Sequence, residues 1–355
     1  MAFLEVERFR ELLHEGVPGF DVRTPGEYEK GHIQGVVNLP LFSNAERVKV
    51  GTLYKQQGRQ DAILEGLEVV GPKMRALVEE VEAHRGAQSG PVLVHCWRGG
   101  MRSESVAWLL RLYGFEALLL KGGYKSYRRW VVQGNDDPPA FQVLGGPTGV
   151  GKTAVLQALK SQGEAVLDLE GLANHRGSVF GGLGQPAQPS QEHFENLLGE
   201  RIDELRKMNK TIWVEDESRM IGMCCLPGKI MEAKKKSTYF RLQSSTEKRL
   251  DRLVEEYGRA REEELVKGFQ KIQKSLGGQR TIEATRALES GNLREAARLA
   301  LQYYDKAYEK GLSRKEEGSV IEIQSEGSPE EIAALLIERA ESGEDRVDFR
   351  SEKGA

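Results

Sequence analysis

The sequence predicts an α/β protein of two successive domains, each built on a parallel sheet. Short apolar runs alternate with helical patterns through both halves of the chain, the pattern of a sheet covered by helices. At 355 residues the chain exceeds the ~100–200 residues of one ordinary domain. Two glycine-rich loops stand about fifty residues apart, each after an apolar run and before a helical pattern: Cys96-Trp97-Arg98-Gly99-Gly100-Met101-Arg102-Ser103 and Gly146-Pro147-Thr148-Gly149-Val150-Gly151-Lys152-Thr153.

In the N-terminal half, Val92-Leu93-Val94 and Ala117-Leu118-Leu119-Leu120 read as buried strands, and Val106, Leu109 and Leu110 share one helix face between them. Gly134-Asn135-Asp136-Asp137-Pro138-Pro139 is polar and rich in breakers, which sets the boundary there. The domains are therefore expected at residues 1–133 and 141–340, with 134–140 as linker. Downstream, strands are expected at Phe141-Gln142-Val143-Leu144, Ala165-Val166-Leu167, Thr211-Ile212-Trp213-Val214, Tyr239-Phe240-Arg241-Leu242 and Val320-Ile321-Glu322-Ile323, with helices between them. From residue 341 the chain is charged and contains glycine, and residues 341–355 read as a disordered tail. No internal repeat is apparent.

Composition excludes several classes. No window approaches the ~18 apolar residues of a membrane span, and the N-terminus carries no basic segment leading into an apolar one. A cytoplasmic protein with no membrane partner is expected. Three cysteines make no disulfide framework, and adjacent Cys224-Cys225 lack a second pair at metal-ligand spacing. No metal set is expected, and Cys96 remains a free thiol. The net charge of −3 is unevenly spread. Residues 121–130 hold Lys121, Lys125, Arg128 and Arg129 with no acid, and residues 221–280 hold 14 Lys and Arg against 8 Asp and Glu, including Lys234-Lys235-Lys236. Such a stretch suits either a solvated helix face or a phosphate backbone.

Cys96 ends a strand and precedes a helix N-terminus, where N–H groups converge and the dipole favours negative charge. A thiolate should be stabilised there, as a sulfur nucleophile requires. Gly99 and Gly100 let the backbone curl into an anion nest, with Arg98 and Arg102 adding positive charge. His95 and Trp97 read as packing residues.

The second loop fits Gly-x-x-x-x-Gly-Lys-Thr in its proper context, with a strand before it and a helix from Ala154 to Lys160 after it. Its backbone should cradle a polyphosphate, with Lys152 as a point charge and Thr153 in reach of a magnesium ion. Glu215 or Asp216, where a strand ends, offers a second acidic group. His175 and Arg176 stand where an anionic substrate would be gripped, although a satisfied loop histidine fits equally well. Nothing in the sequence selects GTP.

These residues carry a resemblance. Asp21-Val22-Arg23-Thr24-Pro25-Gly26-Glu27-Tyr28 with Gly31-His32-Ile33-Gln34-Gly35-Val36-Val37-Asn38-Leu39-Pro40 resembles the opening signature of rhodanese domains, and Lys121-Gly122-Gly123-Tyr124 their closing motif, over about residues 5–133. The resemblance implies that Cys96 carries sulfur or selenium. The loop departs from the common rhodanese form: Cys96 to Arg102 spans seven residues rather than six, the length of related phosphatases and arsenate reductases. A wider cradle suits a tetrahedral anion. Joined to a P-loop domain containing residues 168–178 and Val214-Glu215-Asp216-Glu217-Ser218-Arg219, the chain resembles the tRNA 2-selenouridine synthase family over about residues 5–330.

That family is understood to act on wobble 2-thiouridine of lysine, glutamate and glutamine tRNAs. It attaches a geranyl group from geranyl diphosphate to the sulfur, then exchanges the S-geranyl group for selenium from selenophosphate. The resemblance implies those two co-substrates, no permanent cofactor, and a selenophosphate-supplying enzyme as a partner. For tRNA contact the candidates are Lys125, Arg128, Arg129, Lys234, Lys235 and Lys236, with Tyr124, Tyr127 or Trp130 to stack a splayed base. The rival readings are a cysteine-dependent phosphatase fused to a nucleotide-kinase-like domain, for which no general-acid aspartate stands out, and a regulatory protein with an inert rhodanese module. Glu27, His32 and Asp61 are expected to stabilise loops.

Overall fold

The computed structural model describes residues 2–86, 89–312 and 320–342; most of the expected tail, residues 343–355, lies outside them. The chain divides into two units, one of residues 1–133 with 192–197, the other of residues 134–191 with 198–355.

In the first unit, β1 (Phe3–Leu4), β2 (Gly19–Asp21), β3 (Val36–Asn38), β4 (Val92–His95) and β5 (Ala117–Leu120) form a sheet in the order β1-β5-β4-β2-β3, every pair parallel. The helices are α1 (Val6–His14), α2 (Pro25–Lys30), α3 (Asn44–Gln56), α4 (Arg59–Val70), α5 (Met74–Arg85), α6 (Met101–Tyr113) and α7 (Gly123–Asp136). Central β4 is buried throughout because both faces are covered. Val92 and Val94 pack with Leu77, Val81, Val106 and Leu110 beneath α5 and α6, whereas Leu93 faces Phe9, Tyr124, Tyr127 and Val131 of α1 and α7. Helix α2 opens with a capping box, Thr24 accepting from the Glu27 N–H and the Glu27 carboxylate accepting from the Thr24 N–H.

In the second unit, β6 (Phe141–Gly145), β7 (Val166–Leu167), β8 (Ile212–Glu215), β11 (Thr238–Gln243) and β12 (Val320–Gln324) are again parallel, in the order β12-β11-β6-β8-β7. The intervening β9 (Met220–Ile221) and β10 (Cys224–Cys225) make a separate antiparallel pair. The chain fills one side of β6 with β7 and β8, then the other with β11 and β12. The reversal of strand order thus falls at β6, whose carboxyl end carries the glycine-rich loop of residues 146–153, where ligands of such sheets bind. Helices α8 (Lys152–Ser161), α9 (Leu169–Ala173), α10 (Gln191–Arg206), α11 (Gly228–Lys236), α12 (Thr246–Tyr257), α13 (Glu262–Leu276), α14 (Gly278–Glu289), α15 (Leu293–Leu312) and α16 (Pro329–Ser342) complete the unit, except that residues 192–197 of α10 group with the first. A second apolar cluster forms among α13, α14 and α15, from Leu265, Phe269, Ile272, Ala284, Leu288, Ala296 and Ala300.

The expected linker is shorter than its breakers implied. Helix α7 runs through Gly134 and Asn135 to Asp136, because the buried face that contains Tyr127, Val131 and Asn135 holds it helical. Pro138 and Pro139 follow shortly after its end. No helix among the described residues is long and apolar enough to cross a membrane.

Candidate active sites

Cys96 sits at the carboxyl end of β4, buried at 3% exposure, and Gly100 caps the start of α6. The Ser103 hydroxyl, in the first turn of α6, lies 3.2 Å from the Cys96 Sγ and 3.1 Å from the Gly100 carbonyl oxygen. The closing motif forms the wall behind the loop: the Tyr124 N–H donates to the Cys96 carbonyl at 2.8 Å and the Lys125 N–H to the Trp97 carbonyl at 2.9 Å. Only glycine fits at Gly123, where φ is +60° and a Cβ would stand 2.4 Å from the Cys96 carbonyl oxygen. Gly99, at φ +66°, meets the Leu120 carbonyl across the same seam at 2.8 Å from its would-be Cβ. The glycines of both motifs therefore serve close backbone approach.

The arginine at the end of the loop is held from the opening motif. Arg102 donates to both carboxylate oxygens of Glu27, at 2.7 and 3.2 Å. Burial alone would raise the Glu27 carboxyl, but the hydrogen bonds and charge of Arg102 outweigh it and hold the group below the ordinary range. Burial works against the Arg102 charge, while Glu27 and the nearby Cys96 sulfur favour it, and the net shift is upward. Glu27 therefore both caps α2 and orients the cation beside the cysteine. Arg98 is exposed.

Beneath the loop lies a buried ion pair. Arg23 donates to both oxygens of Asp21, closest at 2.6 Å, and to the Gly31 carbonyl at 2.7 Å, with its guanidinium 3.7 Å from the Tyr124 ring centroid. His95 is wholly buried, 3.7 Å from Asp21 and edge-on to Phe9, and burial lowers its pKa despite that carboxylate. It packs, as expected. His32 stacks between Tyr28 and His193, with centroids 3.9 and 4.0 Å away.

In the second unit the glycine-rich loop of residues 146–153 joins β6 to α8, and Lys152 Nζ lies 3.4 Å from the Gly146 carbonyl oxygen. Thr153 is exposed in the first turn of α8. Two residues absent from the sequence reading hold the loop from α12. Arg249, buried, donates to the Thr148 carbonyl at 2.8 Å and to both oxygens of Asp305, and Arg252 donates to the Val150 carbonyl at 2.6 Å. Their i,i+3 spacing on a helix after a strand was the one available signal. Thr148 also borders a narrow apolar pocket of about 40 Å³, walled by Phe180, Leu253, Tyr257, Phe269, Ala300 and Tyr304.

The two acidic candidates separate. Asp216 accepts from the Tyr239 hydroxyl at 2.9 Å, which itself meets the Tyr308 hydroxyl at 3.0 Å. Glu215 is buried and accepts from the Glu170 N–H at 2.7 Å. Burial first, then the charge on Asp168, pushes Glu215 up from 4.5 to about 8. Glu170 is raised too, by burial and then by the charges on Glu215 and Glu217, with Lys152 opposing. His175 is lowered by burial, and Arg176 pairs with Glu256 at 3.0 Å.

The Glu215 shift has a sign that can be checked. The unfolded chain loses this proton near 4.5, the folded chain near 8, so folding holds a proton in between and stability falls as pH rises through that window, levelling above it. Glu215→Gln cannot ionise. Its denaturant midpoint, relative to wild type, is expected to rise steadily from about pH 5 to about pH 8; a constant gap would assign the proton elsewhere.

The surface candidates also divide. Lys125, Arg129, Lys235 and Lys236 are exposed. Lys234 is buried, with Nζ donating to the Glu217 carbonyl at 3.0 Å, and Arg128 is taken up by Glu195 and Asn196, both at 2.6 Å. Neither is an exposed cation for RNA. Tyr124 and Tyr127 are wholly buried and Trp130 lies under the Arg10 guanidinium at 3.7 Å, so these rings form the core of the first unit rather than a stacking platform.

Comparison with known proteins agrees with this geometry. A model of the rhodanese-like domain matches residues 5–129, and a model of the tRNA 2-selenouridine synthase AAA domain matches residues 139–342. A tRNA 2-selenouridine synthase of Pseudomonas fluorescens is 35% identical over 91% of this chain and 96% of its own. One from Marinobacter nauticus is 34% identical over 92% and 96%, and one from Pseudomonas putida strain GB-1 is 41% identical over 70% and 67%. With both units matched in order and relatives aligned over nearly the whole of both chains, the chain belongs to the tRNA 2-selenouridine synthase family.

Proposed function

We propose that this tRNA-modifying enzyme converts wobble 2-thiouridine of lysine, glutamate and glutamine tRNAs to 2-selenouridine through an S-geranyl intermediate. A thiocarbonyl is a poor leaving group, and alkylation turns its sulfur into a thiolate that can depart. In the first step the sulfur attacks the allylic carbon of geranyl diphosphate; a C–S bond forms, diphosphate leaves, and the N3 proton passes to solvent. The phosphate loop holds that diphosphate, with Lys152 countering the charge that builds on it. The observation that carries this assignment is Thr148, which belongs both to the phosphate loop and to the wall of an aromatic, apolar pocket. At about 40 Å³ the pocket admits only the first carbons of an isoprenoid tail, an apolar contact beside the phosphate-binding backbone that geranyl diphosphate can use.

In the second step the Cys96 thiolate attacks C2 of the S-geranylated base; the bond from Cys96 sulfur to C2 forms, the bond from C2 to the geranylated sulfur breaks, and geranyl thiolate leaves. The selenium of selenophosphate, bound in the nest around Cys96, then attacks C2; the C2–Se bond forms and the Cys96 thiolate leaves. Water takes the phosphoryl group, the P–Se bond breaks, and phosphate departs while N3 regains its proton, leaving the C2 selenocarbonyl with no oxidant or reductant required. Lys125, Arg129, Lys235 and Lys236 are the exposed cations offered to tRNA phosphates, which makes binding steeply salt-dependent.

The test is to incubate the protein with 2-thiouridine tRNA and geranyl diphosphate, with and without selenophosphate, and to weigh the digested nucleosides. S-geranyl-2-thiouridine is expected without selenophosphate and 2-selenouridine with it; absence of any geranylated nucleoside sinks the two-step reading. Lys152→Ala is expected to slow geranylation by roughly 100-fold, about 2.7 kcal/mol at the transition state. Intact geranylation with loss of an ATPase activity would return the loop to a nucleotide.

A further inference from the structure

A cavity of the first unit takes no part in the steps above. It lies in the first unit between α3 and α4, with a volume of about 880 Å³, inside the roughly 300–1,000 Å³ range of small-molecule sites. Its walls are apolar, among them Leu41, Phe42, Val48, Ile63, Leu67 and Val70. Helix α3 buries no residue completely, and Val48 and Leu67 remain 69% and 63% exposed, an unusual amount of apolar surface for a face with no ligand on it. Glu27, Met101 and Arg102 belong to its lining, and the latter two are members of the cysteine loop itself. Arg47, Lys55 and Arg59 also line it.

Resting on the two-step reading, we infer that this cleft receives the geranyl chain of the S-geranylated base while selenium is delivered at Cys96. Bond connectivity carries the argument. The carbon that Cys96 attacks also bears the departing sulfur, so the chain must begin one bond from the atom beside the cysteine loop. An apolar ten-carbon chain at that point needs a water-poor wall close by, and this cleft shares two residues with the loop. Arg47, Lys55 and Arg59 match a ligand whose apolar tail hangs from a polyanionic body. When the C2–S bond breaks, the thiolate leaves with its chain still held in the cleft.

The experiment bypasses the first step by supplying synthetic anticodon stem-loops that carry S-geranyl- or S-methyl-2-thiouridine, together with selenophosphate. Two variants narrow or polarise the cleft, Gly66→Trp and Leu67→Glu. A Cβ at Gly66 meets only Phe42, at an ordinary 3.7 Å, and Leu67 is exposed, so both chains should fold; matched thermal unfolding would show it. Selenation of the S-geranyl substrate is expected to fall at least about tenfold in kcat/KM, the scale of one or two lost methylene contacts, while the S-methyl substrate is little affected. Unchanged selenation of both substrates, an equal loss on both, or a shift in oligomeric state showing that a second copy covers the cleft would each overturn the inference. Failure of the wild-type protein on the S-geranyl stem-loop would instead defeat the two-step reading, and the inference with it.

Discussion

Cys96→Ser is expected to remove 2-selenouridine formation by at least about 1,000-fold, some 4 kcal/mol at the transition state, while S-geranyl-2-thiouridine still accumulates. The substitution is nearly isosteric, and the loop is held by its backbone. Tyr124 and Lys125 donate to the Cys96 and Trp97 carbonyls whatever side chain residue 96 carries. The Ser103 hydroxyl, at 3.2 Å from Sγ, can bond an oxygen as well as a sulfur. What the proposed exchange loses is the soft nucleophile that displaces geranyl thiolate from C2. Nucleoside mass analysis of the two half-reactions reads this directly: joint loss of both products would make Cys96 structural, and retained selenation would leave the loop as an anion cradle only.

Arg23→Ala is expected to destabilise the first unit by roughly 3–5 kcal/mol, the cost of leaving one member of a buried ion pair uncompensated. Asp21 is wholly buried, and Arg23 supplies both its charge partner and a bond to the Gly31 carbonyl. Against a total stability of ~5–15 kcal/mol for a domain, such a loss leaves little margin. Denaturant unfolding, followed at the transition assigned to the first unit, measures it. The double variant Asp21→Asn with Arg23→Met should recover part of the loss, because no charge then remains buried. A cost below about 1 kcal/mol for Arg23→Ala would show that solvent reaches the pair. This pair, together with Glu27, accounts for the opening motif: its residues brace the cysteine loop from below and from the side.

Of this protein the sequence by itself determined the two sheets, the strands that bear the functional loops, and the loops themselves. Those features are written in neighbouring residues: an apolar run marks a strand covered on both faces, and glycine spacing marks a backbone that must curl. What only the tertiary structure decided are pairings between residues far apart in the chain. Glu27 meets Arg102 because α2 and α6 both follow the adjacent strands β2 and β4 of the first sheet; in the second, Arg249 meets Thr148 because α12 follows β11, the neighbour of β6, and no local period records either meeting. Burial decided the rest. Tyr124, Tyr127 and Lys234 are candidate RNA contacts in a linear reading, yet packing against neighbouring elements closes them in. Packing likewise carried α7 through a stretch that its own residues would have broken. Local chemistry specifies which conformations a segment can adopt, whereas exposure and partnership depend on the closure of the whole chain.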